Sequence, residues 1–127
     1  MQSFNEFIKT VNNDFGDRVL HFGNWLEDIY YEHKNETLNI DYFIEEPNWL
    51  DLPDRQIIVY TASAHQLAIE LGLNIPKWVF KDKYFSRKPI FPEQVKGDRL
   101  KIELMYQSPK AFRIRNVFFS ANTLVRV

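Results

Sequence analysis

The 127-residue chain has no cysteine. That absence removes disulfides, thiolate nucleophiles and cysteine-based zinc or iron–sulfur sites together, and it is compatible with a reducing compartment. Glycine is scarce as well: Gly16, Gly23, Gly72 and Gly97 are too dispersed to build a phosphate-cradling loop. Neither a G-x-G-x-x-G nor a Walker sequence occurs, which disfavours nucleotide hydrolysis. No apolar run approaches the roughly 20 residues that span a bilayer. The opening MQSFNEFIK places Glu6 before any apolar run and has no basic stretch ahead of a hydrophobic one, so no signal peptide is expected. Repeats and low-complexity tracts are absent too. These absences together lead to the expectation of a soluble, cytoplasmic protein with no membrane partner.

Aromatic residues are what the chain has in quantity. Eleven Phe, six Tyr and three Trp provide large buried areas per residue, enough for one core in a domain of this length. Charge is present but segregated. Residues 1–75 carry thirteen Asp/Glu against four Lys/Arg, and residues 76–127 carry four against twelve, so a net charge of −1 conceals halves of −9 and +8. Such halves either present fields of opposite sign to outside partners or face each other within the fold. The reading is one domain over 1–127, with an acidic helical part and a basic aromatic part.

The acidic part reads as helices. Ser3 and Glu6 form a capping box ahead of Phe4, Phe7, Ile8, Val11 and Phe15, with Gly16 placed to end the helix. Asp17 is the expected cap of a second helix, with Val19, Leu20, Phe22, Trp25, Leu26, Ile29 and Tyr30 as a wide apolar stripe. Residues 35–52 fit either a short helix or an irregular extended piece, with Trp49, Leu50 and Leu52 turned into the core. From Asp51, with Pro53 in its first turn, a longer helix runs to Gly72 and buries Ile57, Ile58, Thr61, Ala62, His65, Ala68 and Leu71 on one side.

The basic part is less regular. Its prolines favour turns and extended pieces. In DRLKIELMY, Leu100, Ile102, Leu104 and Tyr106 alternate with polar residues, the period of a half-buried strand, although most of these residue types suit a helix equally. The fold class is therefore mainly α, a single compact helical domain, with the alternative of α+β and a short strand near 100–106. Ser108 and Pro109 read as cap and first residue of a short helix to about Arg115, and Ser120 as the cap of a last turn over Leu124 and Val125.

Three segments, NIPKWVFKDKYFSRKPIFP, SPKAFRIRNVFF and SANTLVRV, carry a resemblance. They resemble a family of small bacterial proteins in which Pro-x-Trp, aromatic-Pro and Ser-Pro-x-x-Phe-Arg-x-Arg-Asn segments recur in that order, and the likeness covers the region from about residue 64 to the end. In that family the region follows a helix-turn-helix domain or stands alone, near nucleotidyltransferase-like toxins. The resemblance implies an antitoxin-like or regulatory partner protein. It carries over no functional residues, and this chain has no evident DNA-reading helix-turn-helix, which counts against a stand-alone repressor.

Catalytic constellations are not evident. Ser63 and His65 stand two apart in a helix and point to nearly opposite faces. His21, His33 and His65 lack metal-pair spacing, and His65 reads as a hydrogen-bonded core or boundary residue, so no metal and no cofactor is expected. Glu45, Glu46, Asp51 and Asp54 read as a solvated acidic face rather than an acid–base pair. The interleaved rings and cations of 77–91 suit either a single-stranded nucleic-acid track or a half-buried segment with Trp78, Phe80, Tyr84, Phe85 and Phe91 inside, and the latter is favoured. Arg113 and Arg115 fit a helix C-terminus or a fork for phosphates or carboxylates. The functional expectation is a non-enzymatic protein-binding module whose basic face is built from Lys101, Lys110, Arg113 and Arg115. Its partner would be a protein, a toxin among the candidates, or a second copy in a homodimer. The alternative is an accessory nucleic-acid-binding protein.

Overall fold

In the computed structural model, which describes residues 1–92, 97–119 and Leu124, the N-terminal capping box forms as the sequence specifies. Glu6 N donates to Ser3 Oγ at 3.1 Å and Ser3 N donates to Glu6 Oε1 at 3.0 Å. The bond accepted from the Ser3 backbone N–H, foremost, holds the Glu6 carboxyl below its ordinary pKa. Helix α1 (Phe4–Asn13) buries Phe4, Phe7, Ile8 and Val11. A 3₁₀ turn, Phe15–Asp17, leads into α2 (Arg18–Lys34), where Asp17 occupies the cap position without a side-chain cap bond.

The stripe of α2 is narrower than expected. Trp25, Leu26 and Ile29 are buried, but Val19 and Leu20 are exposed. The reason is angular: at 100° per residue Leu20 points almost opposite to the face centred on Phe22, Trp25 and Ile29. The segment between α2 and the next helix is a series of turns that buries Phe43 and Leu52. Leu50 does not tuck in. Its backbone takes φ 56°, with its N–H donating to Asn48 Oδ1, and the side chain is left exposed.

Helix α3 (Asp54–Glu70) starts after Pro53 and stops ahead of Gly72, whose φ of +68° suits glycine. Every residue from Ile58 to Ala68 is buried, so α3 is surrounded rather than one-sided. The sequence stripe understated this because small or self-satisfied polar residues make up the remaining faces. Thr61 and Ser63 donate to Ile57 O and Val59 O, each at 2.8 Å, which lets them lie inside without an unmet donor.

Two 3₁₀ turns, Lys77–Phe80 and Asp82–Tyr84, lay Trp78, Val79 and Tyr84 into the core. Ile90 and Val117 then meet in an isolated parallel bridge. Residues 98–107 form a helix, α4 (Asp98–Gln107), and not the alternative strand. Their straight-chain Leu, Lys, Glu, Met and Gln prefer helix, and no neighbouring strand offers a ladder among the described residues. Ser108 does not cap the next helix. Its hydroxyl donates to Leu104 O and accepts from Phe119 N at 2.7 Å, tying the chain back to the core. Helix α5 (Lys110–Arg113) ends before Arg115 because Arg115 turns inward and Asn116 takes φ 65°. Ser120 and Val125 lie outside the described residues, while Leu124 is buried. The protein is thus mainly helical, with a single core shared by both parts and no strand among the described residues.

The core is aromatic. Trp25 stacks on Phe7 at 4.4 Å, and Trp78 packs against Phe4, Trp49 and Tyr84. All three indole N–H groups are satisfied: Trp25 by Tyr42 Oη, Trp49 by Tyr84 Oη and Trp78 by Phe43 O. That satisfaction is what allows such large rings with polar handles to be buried.

Candidate docking face and apolar cleft

Of the four cations expected on one face, three remain at the surface. Lys110 and Arg113 are exposed on α5, and half-buried Lys101 on α4 holds its Nζ 5.5 Å from the centre of the Phe91 ring. None of these three has an ion pair among the described residues. Arg115 is a correction: it is fully buried and belongs to no surface. Its Nη1 donates to Ala111 O at 2.8 Å and to His65 Nδ1 at 2.9 Å, and its Nη2 donates to Val79 O at 2.8 Å. The guanidinium also lies 4.8 Å from the Phe85 ring centre, while Nε has no partner among the described residues. Burial lowers the Arg115 pKa to about 10.

Among the described residues, ion pairing between the two parts is confined to one point. Lys81 reaches Glu46 at 2.6 Å and Lys83 approaches the same carboxylate at 3.9 Å, and these are the ion pairs joining the acidic and basic parts among the described residues. Tyr84 donates its hydroxyl to Glu46 as well. Burial works to raise the Glu46 carboxyl, but the hydrogen bonds from Lys81 and Tyr84 outweigh it and hold the group below the usual range. Tyr84 moves the other way, its phenol pushed up by burial and by Glu46. Glu46 therefore acts as a clamp. Glu45, Asp51 and Asp54 are exposed, as a solvated acidic face requires.

Helix α4 has a surface that the sequence pattern did not reveal. It buries no residue, and Ile102, Met105 and Tyr106, at i, i+3 and i+4, form an exposed apolar face on which Tyr106 is 81% accessible. The period-2 alternation through Tyr106 concealed the helical spacing. The 77–91 segment, by contrast, has little to stack a base on: Trp78 and Tyr84 are buried, Phe85 and Phe91 are half-buried, and exposed Phe80 packs edge-on against His65 at 5.0 Å.

A second feature was also hidden in the sequence. A cleft of about 180 Å³ opens where α2 begins, between Arg18, Val19 and Phe22 of α2 and Gln56, Val59 and Tyr60 of α3. Pro92 and Phe119 add a wall from the basic part. One signal pointed there: Arg18 is among only four basic residues in an acidic stretch. The histidines do not converge. His21 meets Asp14 at 3.0 Å, His33 is exposed and His65 is inside, and no cluster of three or more His, Asp or Glu among the described residues is placed to hold a metal ion.

No helix among the described residues is long and apolar enough to cross a membrane. No protein-family model, curated protein or solved structure matches this chain.

Proposed function

We propose that the protein is a non-enzymatic binding module that docks a protein partner against α4, using its apolar face and the cations Lys101, Lys110 and Arg113 beside it. One observation carries this reading. A ten-residue helix is marginal in water by itself, and α4 has no fully buried residue to compensate, only half-buried Lys101 and Leu104. A partner surface covering Ile102, Met105 and Tyr106 would supply the missing burial. The cations without ion pairs specify its character: an apolar surface rimmed by carboxylates, since complementary charge speeds encounter and sets orientation. An antitoxin-like or regulatory adaptor in the cytoplasm of a bacterium is the narrower proposal, and it rests on the sequence resemblance.

The test is purification of a stoichiometric complex from the native host with tagged wild type and two variants, Ile102→Gln/Tyr106→Gln and Lys110→Glu/Arg113→Glu. Both variants are expected to keep the helical circular-dichroism spectrum and to lose the complex. Retention of the complex by both would overturn the docking proposal. If the complex contains nucleic acid instead, with affinity falling steeply with salt, the accessory nucleic-acid reading replaces this one.

A further inference from the structure

The cleft at the start of α2 combines apolar walls with polar groups whose hydrogen-bonding capacity is largely unused among the described residues. Tyr60 is only 3% exposed. Its ring is fixed edge-on against Phe7 at 5.4 Å and stacked on Phe22 at 6.0 Å, yet its hydroxyl makes no hydrogen bond with any described residue. The ring is buried but the hydroxyl oxygen is not sealed in, since Arg115 Nε alone is a fully buried unpartnered side-chain atom among the described residues; Tyr60 borders the cleft, and its hydroxyl can be reached from that open space. Burial raises the phenol pKa to about 12 while the positive charge of Arg18 pulls it down, so the hydroxyl stays a donor within the field of that guanidinium.

Arg18 is similarly under-used. Half-buried, it donates Nη1 to Phe15 O at 3.1 Å and lies 4.4 Å from the Phe15 ring centre, but no carboxylate pairs with it among the described residues. A guanidinium carries five N–H donors, so most remain available. Gln56 adds a half-buried amide on the same lining with no side-chain hydrogen bond among the described residues. No acidic residue lines the cleft among the described residues. Its remaining walls, Val19, Phe22, Val59, Pro92 and Phe119, are apolar. One positive charge, a neutral donor and an apolar enclosure match a monoanion with an apolar body. The volume limits that body, since an apolar cavity of about 150 Å³ takes up one benzene ring.

We infer that this cleft binds a small amphipathic carboxylate, with a single ring or a short branched acyl chain against Phe22, Val59 and Phe119 and its carboxylate held by Arg18 and Tyr60. The site is separate from the α4 face and does not depend on the docking reading.

Titration of the full chain with benzoate and with 3-methylbutanoate, followed by two-dimensional NMR, tests it. At least one probe is expected to bind saturably at one site, with shifts centred on Val19, Val59 and Phe22. Benzamide, which keeps the ring and removes the charge, should bind about tenfold more weakly to wild type. Arg18→Gln should weaken benzoate by a similar factor, and Tyr60→Phe by several-fold. Absence of saturable binding for both acids would overturn the proposal, and so would equal affinity for benzoate and benzamide. The benzamide comparison uses the unaltered protein, so it decides the matter even if Arg18→Gln folds poorly.

Discussion

Arg115 and His65 form a buried cation–imidazole pair, Nη1 to Nδ1 at 2.9 Å, with no carboxylate joining them among the described residues. Arginine has no acceptor, so Nδ1 of His65 must accept and the ring proton must sit on Nε2. Burial first, then the charges of Arg115 and Lys110, lower the His65 pKa to about 4 from 6.5. The ring is neutral in the folded protein because a second charge beside the guanidinium would be repelled in a poorly solvated place.

This pair predicts an acid-labile fold. The unfolded chain protonates His65 near pH 6.5 and the folded chain only near pH 4, so the unfolded state binds more protons between these values. Stability from this group is full above pH 6.5 and declines as pH falls towards 4, by up to about 3 kcal/mol. Urea titrations at pH 7 and pH 4.5 check it. His65→Gln should flatten this part of the pH dependence, and an unchanged slope in the variant would refute the assignment.

Arg115 and Arg113 stand two residues apart in opposite environments, and their substitution should separate cleanly. Arg115→Ala leaves Val79 O and Ala111 O without their donors and opens a void, for a loss of about 3–5 kcal/mol. Arg113→Ala, at the surface, should change stability by less than about 0.5 kcal/mol. Denaturant midpoints compared at neutral pH decide between these outcomes. Equal effects would mean that Arg115 is not an interior residue.

Trp78 and Phe112 anchor different ends of the core. Trp78 ties the first 3₁₀ turn of the basic part to Phe43 O and to the Phe4 and Tyr84 rings, while Phe112 stacks on Phe119 at 5.0 Å with parallel planes. Replacing either by Ala should cost about 3–5 kcal/mol. Thermal melts followed by far-ultraviolet circular dichroism would show it as a large fall in Tm.

The capping box offers a smaller and more local effect. Ser3→Ala removes the acceptor for Glu6 N while keeping the backbone N–H of position 3 that donates to Glu6 Oε1, costing about 1 kcal/mol. Amide exchange should accelerate first in the N-terminal turn of α1. Uniform acceleration across the protein without a local excess would argue against the cap as the cause.

Legibility followed the range of the interactions involved. The start of α1, the Gly72 stop and the helical class rest on contacts within four or five residues, and local chemistry specified them, whereas α3 begins at Asp54, three residues after the expected Asp51, because Pro53 stays extended as its N-cap. Residues 98–107 were ambiguous because period 2 and period 3.6 coincide over so short a window, and backbone pairing decided in favour of helix. Arg115 was misplaced because its partners, His65 and Val79, lie 50 and 36 residues away. An arginine at a helix end reads as a surface cation until distant acceptors reach it.

The sequence by itself determined the helical class, the aromatic core and the division of charge, since composition and local periodicity need no knowledge of the rest of the chain. Only the tertiary structure decided that the ion pairs joining the two parts among the described residues converge on Glu46, from Lys81 and Lys83. It also decided that α4 presents an uncovered face and that Arg18 and Tyr60 line one cleft. Each of these depends on which surfaces are left over once α3 is enclosed, and burial of one helix is a property of all the segments packed around it.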